Sequence, residues 1–462
     1  AGLNAWGACG DCHSPAIVAG TPGAIDYARA FGVSHEGVTC DFCHKVEGVT
    51  PGGAPGLNGA IDLRRPSDES TVIGQVFEPV TFGPYPDVTV PIMNGSYTPQ
   101  FRDSEYCSAC HEYAQPALHP GEVVDDERWP GGLPVFETWS EHTAWSGSES
   151  LTCQGCHMSV ISEESSTYDI TPLGLAPSPS QGWVRDLGQV RSHEFGLADM
   201  ASPTLLLQTE PPAEGQVVAT VTVRNQSAGH AIPTGEPMRQ YVVVVAATAG
   251  SGEVVAPIGG QVVPDVGGAL AIAVMGETAE VVLDRVHFLE WSGTSGSDPT
   301  ALRIARPTGG WIDDDGPGTA STQGLSLAEK GLPELSYLGE YEVVELDGEH
   351  VVLGSALPLL EEGDLLFLVG EGDLAGTPGW LYAKTLADAG GSRGVAHFRA
   401  VSIASDNRIA PGGQSSSTHI FPDVEGLIVT ATLTQRRIAQ PIARTYGWPL
   451  EDRVVAEAEA GP

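Results

Sequence analysis

The sequence predicts a multi-domain chain. A mostly loop and short-helix N-terminal domain over residues 1–200 precedes an all-β antiparallel sandwich over 201–462, with an inserted β-rich segment at about 290–385. Three observations carry that prediction. All eight cysteines fall before residue 160, in four copies of one short motif. Pro and Gly punctuate the first 200 residues, and period-two alternation is scarce there. Beyond them, apolar residues recur at every second position in short runs bounded by Gly, Pro and Asp, as half-buried strands require.

The four copies are Cys9-Gly10-Asp11-Cys12-His13, Cys40-Asp41-Phe42-Cys43-His44, Cys107-Ser108-Ala109-Cys110-His111 and Cys153-Gln154-Gly155-Cys156-His157. Cys-x-x-Cys-His is the attachment sequence for c-type haem. Its two thiols bond to the porphyrin vinyl groups, and the adjacent His lies beneath the iron as proximal ligand. One copy could begin a redox pair or half a zinc site. Four copies with no cysteine left over point to four haem c groups. Neither a zinc ribbon nor a disulfide framework requires a His after every pair.

The N-terminal domain follows from this count. Four motifs between Cys9 and His157 leave too little chain for an ordinary side-chain core, so the expected domain is packed around porphyrin.

The strands follow in order. Val217 to Val223 alternates, with Val217, Ala219, Val221 and Val223 on one face, and Leu427 to Thr434 does the same near the end. Between them, Tyr241–Ala247, Val281–Val286, Tyr341–Leu346, Val351–Leu353, Leu365–Val369 and Val395–Ile403 read as further strands. The insertion opens on a Gly/Ser/Thr-rich stretch and closes on a compact strand cluster. Its acidic loop Asp313-Asp314-Asp315-Gly316 lacks a full calcium-ligand pattern and reads as a solvated turn.

At 462 residues the chain exceeds one ordinary domain, and its formal net charge is −37. That charge repels nucleic-acid phosphate and anionic lipid, so neither is an expected partner. No apolar run approaches a membrane span. No signal peptide is visible. Because c-type haem is attached outside the cytoplasm, one is expected to have been removed before Ala1, and the expected location is periplasmic or extracellular.

What fills the second axial position of each iron separates a carrier from a catalyst. Thirteen His and only five Met are present, and none of the Met sits in an obvious ligating spacing, so bis-His ligation is favoured. His35 precedes the second motif by a short tether. His119 follows the third motif, where it could instead be a turn residue. His142 falls on an expected helix with Phe136, Trp139 and Trp145. His193 follows the last motif, and His230 lies in a loop from which it could reach out of the β domain. His287, His350, His397 and His419 lie deep in β sequence and are expected to be structural.

The run Gly37-Val38-Thr39-Cys40-Asp41-Phe42-Cys43-His44-Lys45-Val46 resembles the second haem site of multihaem cytochromes related to the tetrahaem electron carrier of nitrifying bacteria. Thr138-Trp139-Ser140 leading to Thr152-Cys153-Gln154-Gly155-Cys156-His157-Met158 resembles the same group. Arg224 to Gly235 and Asp406 to Gly412 are similar to parts of its C-terminal β-sandwich. The resemblance covers residues 1–245 and 395–445 and leaves the insertion unexplained. It implies closely stacked haems and axial roles for His35, His193 and His230. Related tetrahaem proteins also polymerise into extracellular nanowires, in which one subunit supplies an axial His to the next. The resemblance thus allows a head-to-tail filament here, with His230 or His193 serving in trans.

The expected function is electron transfer, as a periplasmic or extracellular carrier or a filament subunit. Redox partner proteins or an extracellular acceptor would be the partners. The alternative is a multihaem oxidoreductase acting on a small nitrogen or sulfur compound at a five-coordinate haem. No acid–base set for it can be located, and no Cys-x-x-Cys-Lys variant occurs. The β domain could also bind a mineral, polysaccharide or partner, with the haems as a relay.

Overall fold

The computed structural model describes residues 12–13, 15, 37–51, 60–64, 81–86, 95–160, 175–176, 183–184, 191–193, 195, 203–264, 269–270, 280–282, 300–311, 333–347, 350–357, 364–370 and 373–462. The chain is mostly β, with several antiparallel sheets and a few short helices. It divides into two compact units, residues 1–114 with 137–200 and residues 115–136 with 201–462. Residues 115–136 therefore fold with the second unit, and the first is not an unbroken 1–200. The cause is polar and specific. Buried Lys384 donates from Nζ to the carbonyls of Pro134 (3.1 Å) and Val135 (3.3 Å), and Gln115 donates from Nε2 to the carbonyl of His397 (2.8 Å). No helix among the described residues is long and apolar enough to cross a membrane.

Among the described residues the helices of the first unit are short, and include α1 (Cys40–Cys43), α2 (Glu105–His111), α3 (Thr138–Ala144) and α4 (Cys153–His157). Its strands are brief, such as Val46–Val49 paired with Ile61–Leu63. Phe42, Val46, Val49, Ala60, Ile61 and Ala109 form a small apolar cluster, with Cys43, Tyr106 and Cys110 packed against it. Motif cysteines thus belong to the core.

In the second unit, β1 (Thr204–Thr209), β2 (Gln216–Arg224), β3 (Gln240–Thr248) and β4 (Gly259–Gly260) open a sandwich. Then come β5 (Ala269–Leu270), β6 (Glu280–Val282), β7 (Ala301–Trp311), β8 (Pro333–Asp347), β9 (His350–Leu353) and β10 (Leu365–Val369). The sandwich resumes with β11 (Gly379–Tyr382), β12 (Lys384–Ala387), β13 (Ser402–Asp406), β14 (Gln414–Pro422), β15 (Ile428–Arg436), helix α5 (Gln440–Tyr446) and β16 (Asp452–Ala460). One sheet has the order β4-β14-β2-β1 and the other β11-β3-β15-β16, while β5 to β10 form a six-stranded sheet of their own.

The alternation explains the sandwich. Val217, Ala219, Val221 and Val223 of one sheet meet Val243, Val245, Val429, Ala431 and Leu433 of the other in one buried cluster. Each fully buried Val contributes about 1.5–3 kcal/mol relative to exposure. The segment Val395–Ile403 departs from its expected strand. His397–Arg399 forms a 3-10 turn, closed by the Ala400 N–H donating to the His397 carbonyl at 3.0 Å, and strand structure begins only at Ser402. Its apolar residues serve a local cluster instead, in which Ala396 and Phe398 pack with Ala439 and Ile442.

Candidate metal centres

Three motifs are described in full, and each lies on a helix of one or two turns. Cysteines three apart then share one face, with the following His at the helix end. Thr39 and Thr152 set the starts of α1 and α4, their hydroxyls accepting from the N–H groups of Phe42 (3.3 Å) and Gly155 (3.1 Å). The α2 motif begins two residues inside its helix and has no such cap. No disulfide joins the described motif cysteines. Of the first motif, Cys12 and His13 are described. Cys9, His35, His287 and the Asp313–Asp315 loop lie outside the described residues.

The second, third and fourth motifs pack together. The Tyr106 hydroxyl, beside Cys107, donates to the carbonyl of Cys43 at 2.8 Å. The Cys153 N–H donates to Ser104 Oγ at 3.0 Å, and Gln154 Nε2 donates to the Asp103 carbonyl at 2.7 Å. Thiols of Cys107 and Cys153 are hydrogen-bonded, which raises the first and lowers the second. Burial pushes the Cys43 thiol and the Tyr106 hydroxyl up.

The second motif carries the clearest ligand geometry. His44 Nδ1 donates to the carbonyl of Phe82 at 2.7 Å, which fixes the tautomer and turns Nε2 away as the nitrogen with a lone pair. His193, 149 positions later in the sequence, lies with its ring centre 6.2 Å from that of His44, the planes 39° apart. The His193 ring in turn hydrogen-bonds the backbone of Arg191. Metal–imidazole bonds of about 2 Å on each side, added to the two ring radii, span about 6 Å between ring centres. The separation of the His44 and His193 rings has that length. Paired thiols on a single turn, a carbonyl-anchored His and a second imidazole nearby are the donor types that would hold a haem c.

His142 is buried on α3, donates from Nε2 to the Leu151 carbonyl at 2.9 Å, and lies near Cys153. Its Nδ1 is buried and has no hydrogen-bond partner among the described residues. His111 and His157 close α2 and α4. In the second unit, His119 donates from Nε2 to the Phe398 carbonyl at 3.1 Å. His230 places Nδ1 2.9 Å from the Ala231 carbonyl, in a loop that Asn225 holds by donating to the carbonyls of His230 (2.8 Å) and Ile409 (3.0 Å). His419 is a core residue of β14.

His397 had no sequence signal. It lies outside the strands and holds the Glu236 carboxylate at 3.0 Å through Nδ1, the carboxylate–imidazole pairing often found behind metal-binding His. Only the Glu236 and His397 types could have hinted at it, and they stand 161 positions apart.

No protein-family model matches the chain, and no curated protein matches it significantly. Among solved structures the chain is similar to a penta-heme cytochrome c552 from Thermochromatium tepidum, at 17% sequence identity and a TM-score of 0.49, covering 98% of this chain and 84% of that one.

Proposed function

We propose that this chain is a tetrahaem c-type cytochrome that transfers electrons through four covalently held, bis-His haems. The observation that carries the reading is the spacing of His44 and His193, 6.2 Å between ring centres, beside a motif whose two cysteines share one helical turn. When bound, the haem irons supply one-electron redox chemistry.

The chain's own residues divide the work. Cys9, Cys12, Cys40, Cys43, Cys107, Cys110, Cys153 and Cys156 hold the groups, and His13, His44, His111 and His157 are the proximal ligands. The four distal ligands are drawn from five candidates, His35, His119, His142, His193 and His230. His193 serves opposite His44, and His142 serves near Cys153. Two strong axial ligands keep an iron six-coordinate and exclude substrate, which suits a carrier.

The protein works outside the cytoplasm with redox partner proteins or an extracellular acceptor. With a charge of −37, such a partner must offer a basic patch or an apolar contact. Assembly into a head-to-tail filament would make His230 the candidate donor in trans, and negative-stain microscopy of the native protein separates wire from shuttle. The deciding experiment is spectroscopic. Mass of the denatured chain should show four added haems, and the reduced spectrum should be low-spin and indifferent to carbon monoxide. A carbon monoxide adduct in the intact protein would favour the oxidoreductase.

A further inference from the structure

We propose that Phe101 and Tyr106 are positioning residues that lock the plane of the His44 imidazole and so tune the haem held at Cys40–His44. This rests on the haem assignment above and goes beyond it, since neither residue belongs to a motif or ligand set.

The His44 ring is held from several directions. Its Nδ1 donates to the Phe82 carbonyl at 2.7 Å, while the Phe82 N–H donates back to the His44 carbonyl at 2.7 Å. The imidazole is stacked with Phe101, ring centres 5.3 Å apart and planes 25° apart. Phe101 packs on Tyr106 at 4.7 Å and 35°. The Tyr106 hydroxyl then donates to the carbonyl of Cys43, the residue before His44, at 2.8 Å. The contacts therefore close a ring, His44 to Phe101 to Tyr106 to Cys43 and back to His44.

Both aromatic residues come from the segment of the next motif. Phe101 is on the 3-10 turn Pro99–Arg102 and Tyr106 on the first turn of α2. Neither turn can shift without dragging the imidazole plane. A single hydrogen bond at Nδ1 leaves a ring free to rock about that bond, whereas a stacked face removes the remaining freedom. The orientation of an axial imidazole sets its overlap with the iron d orbitals, and the angle between two axial rings shapes the low-spin signal. Groups behind a ligand thereby tune a metal they never touch.

The test uses the haem-loaded protein. Phe101→Leu keeps an apolar side chain but removes the stacked ring. We expect one of four low-spin paramagnetic resonance signals to shift and one of four midpoint potentials to move, with haem per chain unchanged. Phe101→Tyr keeps the stack and should restore both. Tyr106→Phe retains both rings, loses only the hydrogen bond to Cys43, and should move the same signal by less. It serves as the decisive variant if Phe101→Leu does not accumulate. Four unaltered signals and potentials in Phe101→Leu, or in Tyr106→Phe where it stands in, would overturn the proposal. A wild-type chain lacking the added haem mass would instead sink the function proposed above, and mass measurement shows that first.

Discussion

His142 donates from Nε2 to the carbonyl of Leu151 at 2.9 Å and thereby leaves its Nδ1 as the ring nitrogen able to accept, buried and without a partner among the described residues. An unmatched buried nitrogen costs about 1–3 kcal/mol, a cost that metal binding would remove.

The first prediction is that His142 ligates through Nδ1. His142→Ala should turn one of four haems high-spin, open it to carbon monoxide, and be reversed by added imidazole. A spectrum identical to wild type would remove His142 from the ligand set.

The second concerns His193. His193→Ala should also produce one high-spin haem, because the imidazole centred 6.2 Å from that of His44 is lost. Combining the two substitutions should give two high-spin haems. If the double variant shows one, both His serve the same iron, and the pairing of His193 with His44 is wrong.

The third concerns His419, fully buried in β14 with Nε2 3.0 Å from Ser417 Oγ. Burial pushes this imidazole down to about 3, whereas an unfolded His titrates near 6.5. Between those values the unfolded chain takes up a proton that the folded chain refuses. Stability is therefore full above about pH 6.5 and falls by ~1.4 kcal/mol per pH unit as the pH drops toward 3. Urea midpoints followed by circular dichroism should show this slope in wild type, and His419→Gln should flatten its share of it.

The fourth tests a buried ion pair. Arg408 grips Asp406 through Nε and Nη2, both at 2.8 Å, and both residues are buried. Asp406→Ala should destabilise the second unit by about 3–5 kcal/mol, because a guanidinium is left without its counter-charge. Replacing both residues by apolar ones should recover most of that loss. Equal losses in the single and double variants would show that the strands need the charges themselves.

The sandwich was legible wherever inward positions are apolar, as in Val217–Val223 and Val429–Leu433. β14 was not, because Ser417 and His419 occupy two of its inward positions and share a hydrogen bond there. That pairing hides the alternation from any hydropathy rule. Cysteine spacing alone located the attachment motifs. Axial pairing was out of reach because His44 and His193 meet only through tertiary folding. The strand expected over Val395–Ile403 failed because the chain turns at His397–Arg399 to fill a local cluster.

The chain passes between its two units three times, after Ala114, Phe136 and Met200. An engineer who cuts at residue 200 to isolate the sandwich would discard residues 115–136, and with them the Pro134 and Val135 carbonyls that receive the buried ammonium of Lys384. The excised fragment would then be expected to misbehave for a reason unrelated to haem. A portable version must carry that short stretch along, spliced or co-expressed. The same threading means that one protease nick cannot release either half intact.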